Sequence, residues 1–200
     1  MNNYLRENIY YPISDEDIEH FAKSAEHQGH PGLEYHVTKD KSLIRTTFVK
    51  NMIRLGRKLG LKLNTVGMFT GKPGCVTSRH IDGTPEHSFT WRVAYYAKGE
   101  PAPLTWFKPV DSDKSVRLQE IEHTGDIRDV PPAGYTVVEA DEVAHTEMLD
   151  MHSAFVRTNH PHQLDMTDTK EPRLTITATF TPEITWEELN EKLDELERNN

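Results

Sequence analysis

From Gly60 to about Pro182 the chain is written in short segments rich in valine, threonine, tyrosine, phenylalanine and tryptophan, each cut off by glycine or proline. β-Branched and aromatic side chains suit a pleated, half-buried surface, and glycine and proline supply the turns between such segments. Strands are therefore expected at Leu63 to Phe69, Val76 to Ile81, Phe89 to Ala97, Leu104 to Phe107, Tyr135 to Glu139, Ser153 to Thr158 and Leu174 to Phe180. No helical periodicity separates them, which argues for a sandwich or barrel and against a parallel sheet.

Helices are expected only at the two ends. Ser14 precedes three carboxylates, with Asp17 at the capping-box position, and Ile18, Phe21, Ala22 and Ala25 then recur at helical spacing up to Gly29. A stronger stripe, Phe48, Met52, Leu55 and Leu59, lies in a segment expected to be helical from Ser42 to Leu59, with Arg45, Lys50, Arg54, Arg57 and Lys58 placed mostly on its solvated face. Near the end, Thr185 and Glu188 form a capping box ahead of Trp186, Leu189, Leu193 and Leu196. A chain of 200 residues is long enough for one sizeable core. The expected organisation is a single domain over residues 1–200: helices in 1–60, a β core in 61–182 and a closing helix in 183–200. Residues 98–134, rich in proline and charge, read as a long insertion and a candidate lid, with Trp106 and Phe107 either walling a pocket or anchoring the insertion.

Composition narrows the functional classes. A net charge of −9 disfavours nucleic acid, whose phosphates it repels, so the expected partner is a small molecule or a peptide. No apolar run reaches the ~18 residues of a membrane span, and the polar start lacks the apolar core of a signal peptide, so a cytoplasmic location is expected. The one cysteine, Cys75, forms no internal disulfide and reads as a small packed side chain rather than a ligand.

The chemistry concentrates in Arg79-His80-Ile81-Asp82-Gly83. On an extended strand, residues two apart point to one face, so His80 and Asp82 can reach a single metal ion. A second histidine from a distant strand would complete a two-histidine, one-carboxylate face with open positions, the usual non-haem Fe(II) oxygenase arrangement. His-x-Asp alone carries little in a chain with 11 histidines, so its surroundings must supply the argument. The best of these is Arg173 to Phe180, where alternation places Arg173, Thr175, Thr177 and Thr179 on one face and Leu174, Ile176, Ala178 and Phe180 on the other. The apolar face can bury under the helices. The opposite face then looks into a polar cavity, where an arginine needs an anion and its planar fork suits a carboxylate.

His162 stands eleven residues before Arg173. In this order and spacing, His80-x-Asp82, His162 and Arg173-x-Thr175 resemble the iron(II)- and 2-oxoglutarate-dependent dioxygenase family, as does the glycine-containing approach Phe69 to Gly74. The resemblance covers roughly Leu63 to Phe180 and implies a mainly β double-stranded β-helix, or cupin-like jelly roll, with the N-terminal helices packed on one sheet. It implies Fe(II) held by His80, Asp82 and His162, and 2-oxoglutarate held through its far carboxylate by Arg173 and Thr175, with O2 as second cosubstrate. The implied reaction hydroxylates a C–H bond of a small molecule or peptide side chain and releases succinate and CO2. An aspartate at position 82, where halide-transferring relatives carry a small residue, favours hydroxylation over halogenation.

Several points stay open. His160 is the rival distal ligand, though Pro161 redirects the chain there. Arg92 and Tyr96 share a strand face; Arg92 either contacts the cosubstrate or is an ordinary surface arginine. His145-Thr146-Glu147 is a second two-apart pair and is expected on a surface loop. A cupin-like metal-binding barrel would share the ligands without needing Arg173, and an inactive binding module would need none of them.

Overall fold

The computed structural model describes residues 2–8, 11–28, 33–36, 45–71, 73–84, 87–88, 90–109, 115–116, 135–149 and 153–199. In chain order these form β1 (Leu5–Glu7), α1 (Asp15–Gln28), β2 (Leu33–His36), α2 (Thr47–Leu59), β3 (Lys62–Gly71), β4 (His80–Thr84), β5 (His87–Ser88), β6 (Trp91–Lys98) and β7 (Ala102–Phe107). The chain continues through β8 (Ser115–Val116), β9 (Tyr135–Val138), β10 (Val143–Leu149), β11 (Ser153–Arg157), β12 (His162–Leu164), β13 (Arg173–Thr181) and α3 (Trp186–Arg198). One sheet runs β1-β11-β6-β13-β3-β2, the other β10-β7-β12-β4-β9-β8 with β5 beside β4. Among the described residues the strand pairs are antiparallel, and the two sheets do not close into a barrel.

The alternation on β13 determines how the layers stack. Leu174, Ile176, Ala178 and Phe180 bury in one core with Phe48, Met52, Leu55 and Leu59 of α2 and Trp186, Leu189 and Leu193 of α3. The opposite face turns toward the second sheet. There Ala94, Tyr96, Ala154 and Val156 of the first sheet pack with Leu104, Trp106 and Leu149 of the second. Beside this apolar patch the inner face is polar: Thr177 lies in register with Gly67 and Ala94, and Thr65 and Thr179 share a 2.6 Å hydrogen bond. Trp106 is fully buried and its indole N–H donates to the Arg157 carbonyl, so it anchors the start of the 98–134 stretch in the core. Most of that stretch lies outside the described residues, and with it the proposed lid.

Several boundaries differ from expectation for physical reasons. The second helix spans Thr47–Leu59, and residues 42–44 of the expected segment lie outside the described residues. Thr46 accepts the Val49 N–H, while the Asp17 carboxylate of α1 accepts from the N–H groups of Thr47 and Phe48 at 3.3 and 2.7 Å. Asp17 thus caps a neighbouring helix through space, an effect of order 1–2 kcal/mol. Gly60 ends α2 in the left-handed region, at φ 71°. Val76 makes only an isolated bridge to Asp165, and its strand starts at His80. His145 and Glu147 lie on β10, a sheet-edge strand rather than a loop, where His145 stacks on Tyr4 and reaches Glu147 at 3.1 Å. Cys75 is exposed rather than packed. No helix among the described residues is long and apolar enough to cross a membrane.

Candidate metal centre

The two histidines meet because β4 and β12 pair antiparallel with His80 directly opposite His162. Opposed residues in such a pair project to the same face, and their ring centroids lie 4.4 Å apart. Asp82, two residues along β4, shares that face, and its backbone N–H is fixed by the Thr158 carbonyl at 3.0 Å. The Asp82 Oδ1 lies 3.6 Å from Nε2 of His80 and 3.8 Å from Nε2 of His162. These three side chains are the one group of three or more residues of ligating type brought together among the described residues.

Their protonation suits a cation. Each histidine presents Nδ1 to a backbone carbonyl two residues earlier: His80 to Ser78 at 2.6 Å and His162 to His160 at 2.9 Å. A carbonyl only accepts, so Nδ1 carries a hydrogen in both rings, which leaves Nε2, the atom nearer Oδ1, as the nitrogen available to a metal. Burial pushes His162 down to about 4, helped by the nearby His80, so its ring is neutral at pH 7. For Asp82, burial alone would raise the pKa, but the Arg92 guanidinium, with His162 and His80, holds it below the ordinary carboxylate range. The site therefore offers two imidazoles and one carboxylate, the donor set of a facial metal site.

The sequence-derived residues fall into three places. His80, Asp82 and His162 converge as described. Arg92, on the inner face of β6, is buried and its Nε lies 2.7 Å from Asp82 Oδ2, so it is neither a surface arginine nor separate from the ligand set. Its guanidinium also sits 5.7 Å over the Phe69 ring. Arg173 is 2% exposed at the start of β13, donates through Nη1 to the carbonyls of Leu149 at 2.9 Å and Glu100 at 3.2 Å, and lies 4.5 Å over the Tyr96 ring. Thr175 follows on the same strand face, half-buried. Gly99 makes the Glu100 contact possible, since at φ 107° a Cβ there would lie 2.6 Å from the Pro172 carbonyl oxygen. His160 serves the centre through its carbonyl rather than its ring, which packs edge-on against Tyr4.

Sequence reasoning missed the Arg92–Asp82 pair and the carbonyl partners of both histidines. The shared face of Arg92, Ala94 and Tyr96 hinted at the first; nothing local signals which residue of another sheet will oppose it.

No protein-family model matches the sequence, and no curated protein matches it. Among solved structures the chain is similar to the crystal structure of a Pseudomonas putida prolyl-4-hydroxylase, with a TM-score of 0.50 and 11% identity over 88% of this chain and 91% of that one. It also overlaps the X-ray structure of E. coli ycfD, with a TM-score of 0.43 and 12% identity over 90% of this chain and 42% of that one. At such identity the first likeness concerns the fold alone.

Proposed function

We propose that the protein is an Fe(II)- and 2-oxoglutarate-dependent dioxygenase that hydroxylates a C–H bond of a small molecule or peptide side chain, yielding succinate and CO2. The observation that carries this reading is the convergence of His80 Nε2, His162 Nε2 and Asp82 Oδ1, with both imidazoles held by carbonyls in the metal-binding tautomer. The strand order is consistent with it: β3-β13-β6-β11 in one sheet and β4-β12-β7-β10 in the other is an order that a double-stranded β-helix would have. A fold neighbour described as a prolyl-4-hydroxylase is consistent with it.

When bound, Fe(II) would supply the redox chemistry that couples decarboxylation of 2-oxoglutarate to C–H oxidation by O2. The chain supplies placement. His80, Asp82 and His162 would occupy one face of the ion and leave the other for cosubstrates. Arg173, with the Thr175 hydroxyl beside it, would take the far carboxylate of 2-oxoglutarate. Tyr96, Leu104 and Trp106 pack together between the sheets and give that side of the site an apolar lining. A net charge of −9 keeps nucleic acid outside the proposal.

One observation favours a second reading. Arg173 already donates to two backbone carbonyls, so a cupin-like metal protein that uses it only as a structural tie would bind the metal without 2-oxoglutarate. Anaerobic addition of Fe(II) and then 2-oxoglutarate separates the two. The dioxygenase reading expects a visible charge-transfer band from the chelate, absent with either addition alone. Iron binding with no band overturns it in favour of the second reading.

A further inference from the structure

We infer that Arg92 is a positioning residue that holds the outer oxygen of Asp82 and so directs the other oxygen to the metal. The inference rests on reading His80, Asp82 and His162 as a metal site.

The two Asp82 oxygens have different surroundings. Oδ1 is the oxygen that lies 3.6 and 3.8 Å from the two imidazole Nε2 atoms, whereas Oδ2 lies 2.7 Å from Arg92 Nε. A carboxylate free to rotate can offer a cation both oxygens, and a second bond from Asp82 would fill a position that cosubstrates require. With Oδ2 engaged by Arg92, Asp82 would have one oxygen to offer a metal.

The position of Arg92 is hard to explain by packing. The residue is 3% exposed, and its cross-strand neighbour on β11 is Val156 while Ala94 shares its face. An apolar residue would fill that space without the cost of taking a guanidinium out of water, which only a well-placed anion offsets. Arg92 belongs to the sheet opposite the metal ligands, so the pair also ties the two sheets together at the centre. Phe69 below the guanidinium limits where it can move. Groups of this kind, one shell out from a metal, typically contribute 10–100-fold in affinity by orienting a ligand.

The test is a double-mutant cycle read by Co(II) binding, with affinities taken from the ligand-field absorption at Co(II) concentrations up to the millimolar range. Wild type, Arg92→Met, Asp82→Asn and the double variant form the cycle. Arg92→Met should weaken Co(II) binding about 10–100-fold when Asp82 is present, and less than about threefold when position 82 is asparagine. Equal losses in both backgrounds would mean that Arg92 supports the fold generally, and would overturn the inference. Unchanged or tighter binding by Arg92→Met would also overturn it, because the cation would then only compete for the carboxylate. If circular dichroism shows that Arg92→Met does not fold, Arg92→Lys in both backgrounds decides the same question: its loss must again depend on Asp82. A wild type that binds no Co(II) refutes both the metal site and the role of Arg92. Wild-type binding that Asp82→Asn weakens, without a 2-oxoglutarate band, refutes the dioxygenase reading alone.

Discussion

Replacing His162 with alanine is expected to abolish Fe(II) binding at micromolar protein and to make the metal-free protein less sensitive to acid. The ring is one of three donors and faces His80 at 4.4 Å across a strand pair. Losing a donor outright should cost more than the roughly 10–100-fold that follows from losing an outer-shell partner. The acid effect has a definite sign. With its pKa lowered from 6.5 to about 4, native His162 stays neutral where the unfolded chain takes up a proton. Acidification from pH 6.5 toward 4 therefore favours unfolding, by about 2 kcal/mol for this group between pH 7 and pH 5. Urea unfolding of metal-free protein at the two pH values measures the difference, which should shrink in His162→Ala. Equilibrium dialysis measures the metal. Full iron binding by the variant would remove His162 from the site.

Arg173→Leu should weaken 2-oxoglutarate binding about 100-fold or more while leaving Fe(II) affinity within about threefold. Truncating one partner of a buried, hydrogen-bonded charge pair typically costs 2–5 kcal/mol. The same substitution should lower stability by a few kcal/mol, since Leu149 and Glu100 lose a donor in a site that is 2% exposed. The two consequences separate the roles. Titrating 2-oxoglutarate into anaerobic Fe(II) protein and following the charge-transfer band gives the first, and denaturant unfolding gives the second. Lower stability with unchanged 2-oxoglutarate affinity would make Arg173 a tie between carbonyls and nothing more.

Features encoded in neighbouring residues were legible in the sequence. The Thr185–Glu188 capping box is present with both of its hydrogen bonds, and β13 divides its faces as its alternation demands. His80 and Asp82 share a face because two residues of extended chain impose it. What escaped depended on distant partners. β12 has only three residues and no strand-forming bias, and it exists because β7 and β4 flank it. β10 mixes polar and apolar residues as an edge strand can, since only one neighbour needs its hydrogen bonds. Asp17 read as a cap for its own helix, yet it caps α2, because the packing of two helices put the free N–H groups within its reach. Arg92 could be assigned to a strand face but not to Asp82, since that pairing crosses from one sheet to the other.

Three side chains from two strands are proposed to form one iron site open to 2-oxoglutarate. The most direct test is a crystal grown anaerobically with Fe(II) and 2-oxoglutarate, with anomalous scattering recorded at the iron edge. One strong peak is expected, bonded to His80 Nε2, Asp82 Oδ1 and His162 Nε2, with the far carboxylate of 2-oxoglutarate against Arg173. A peak held by other residues, or no peak beside these three, would contradict it.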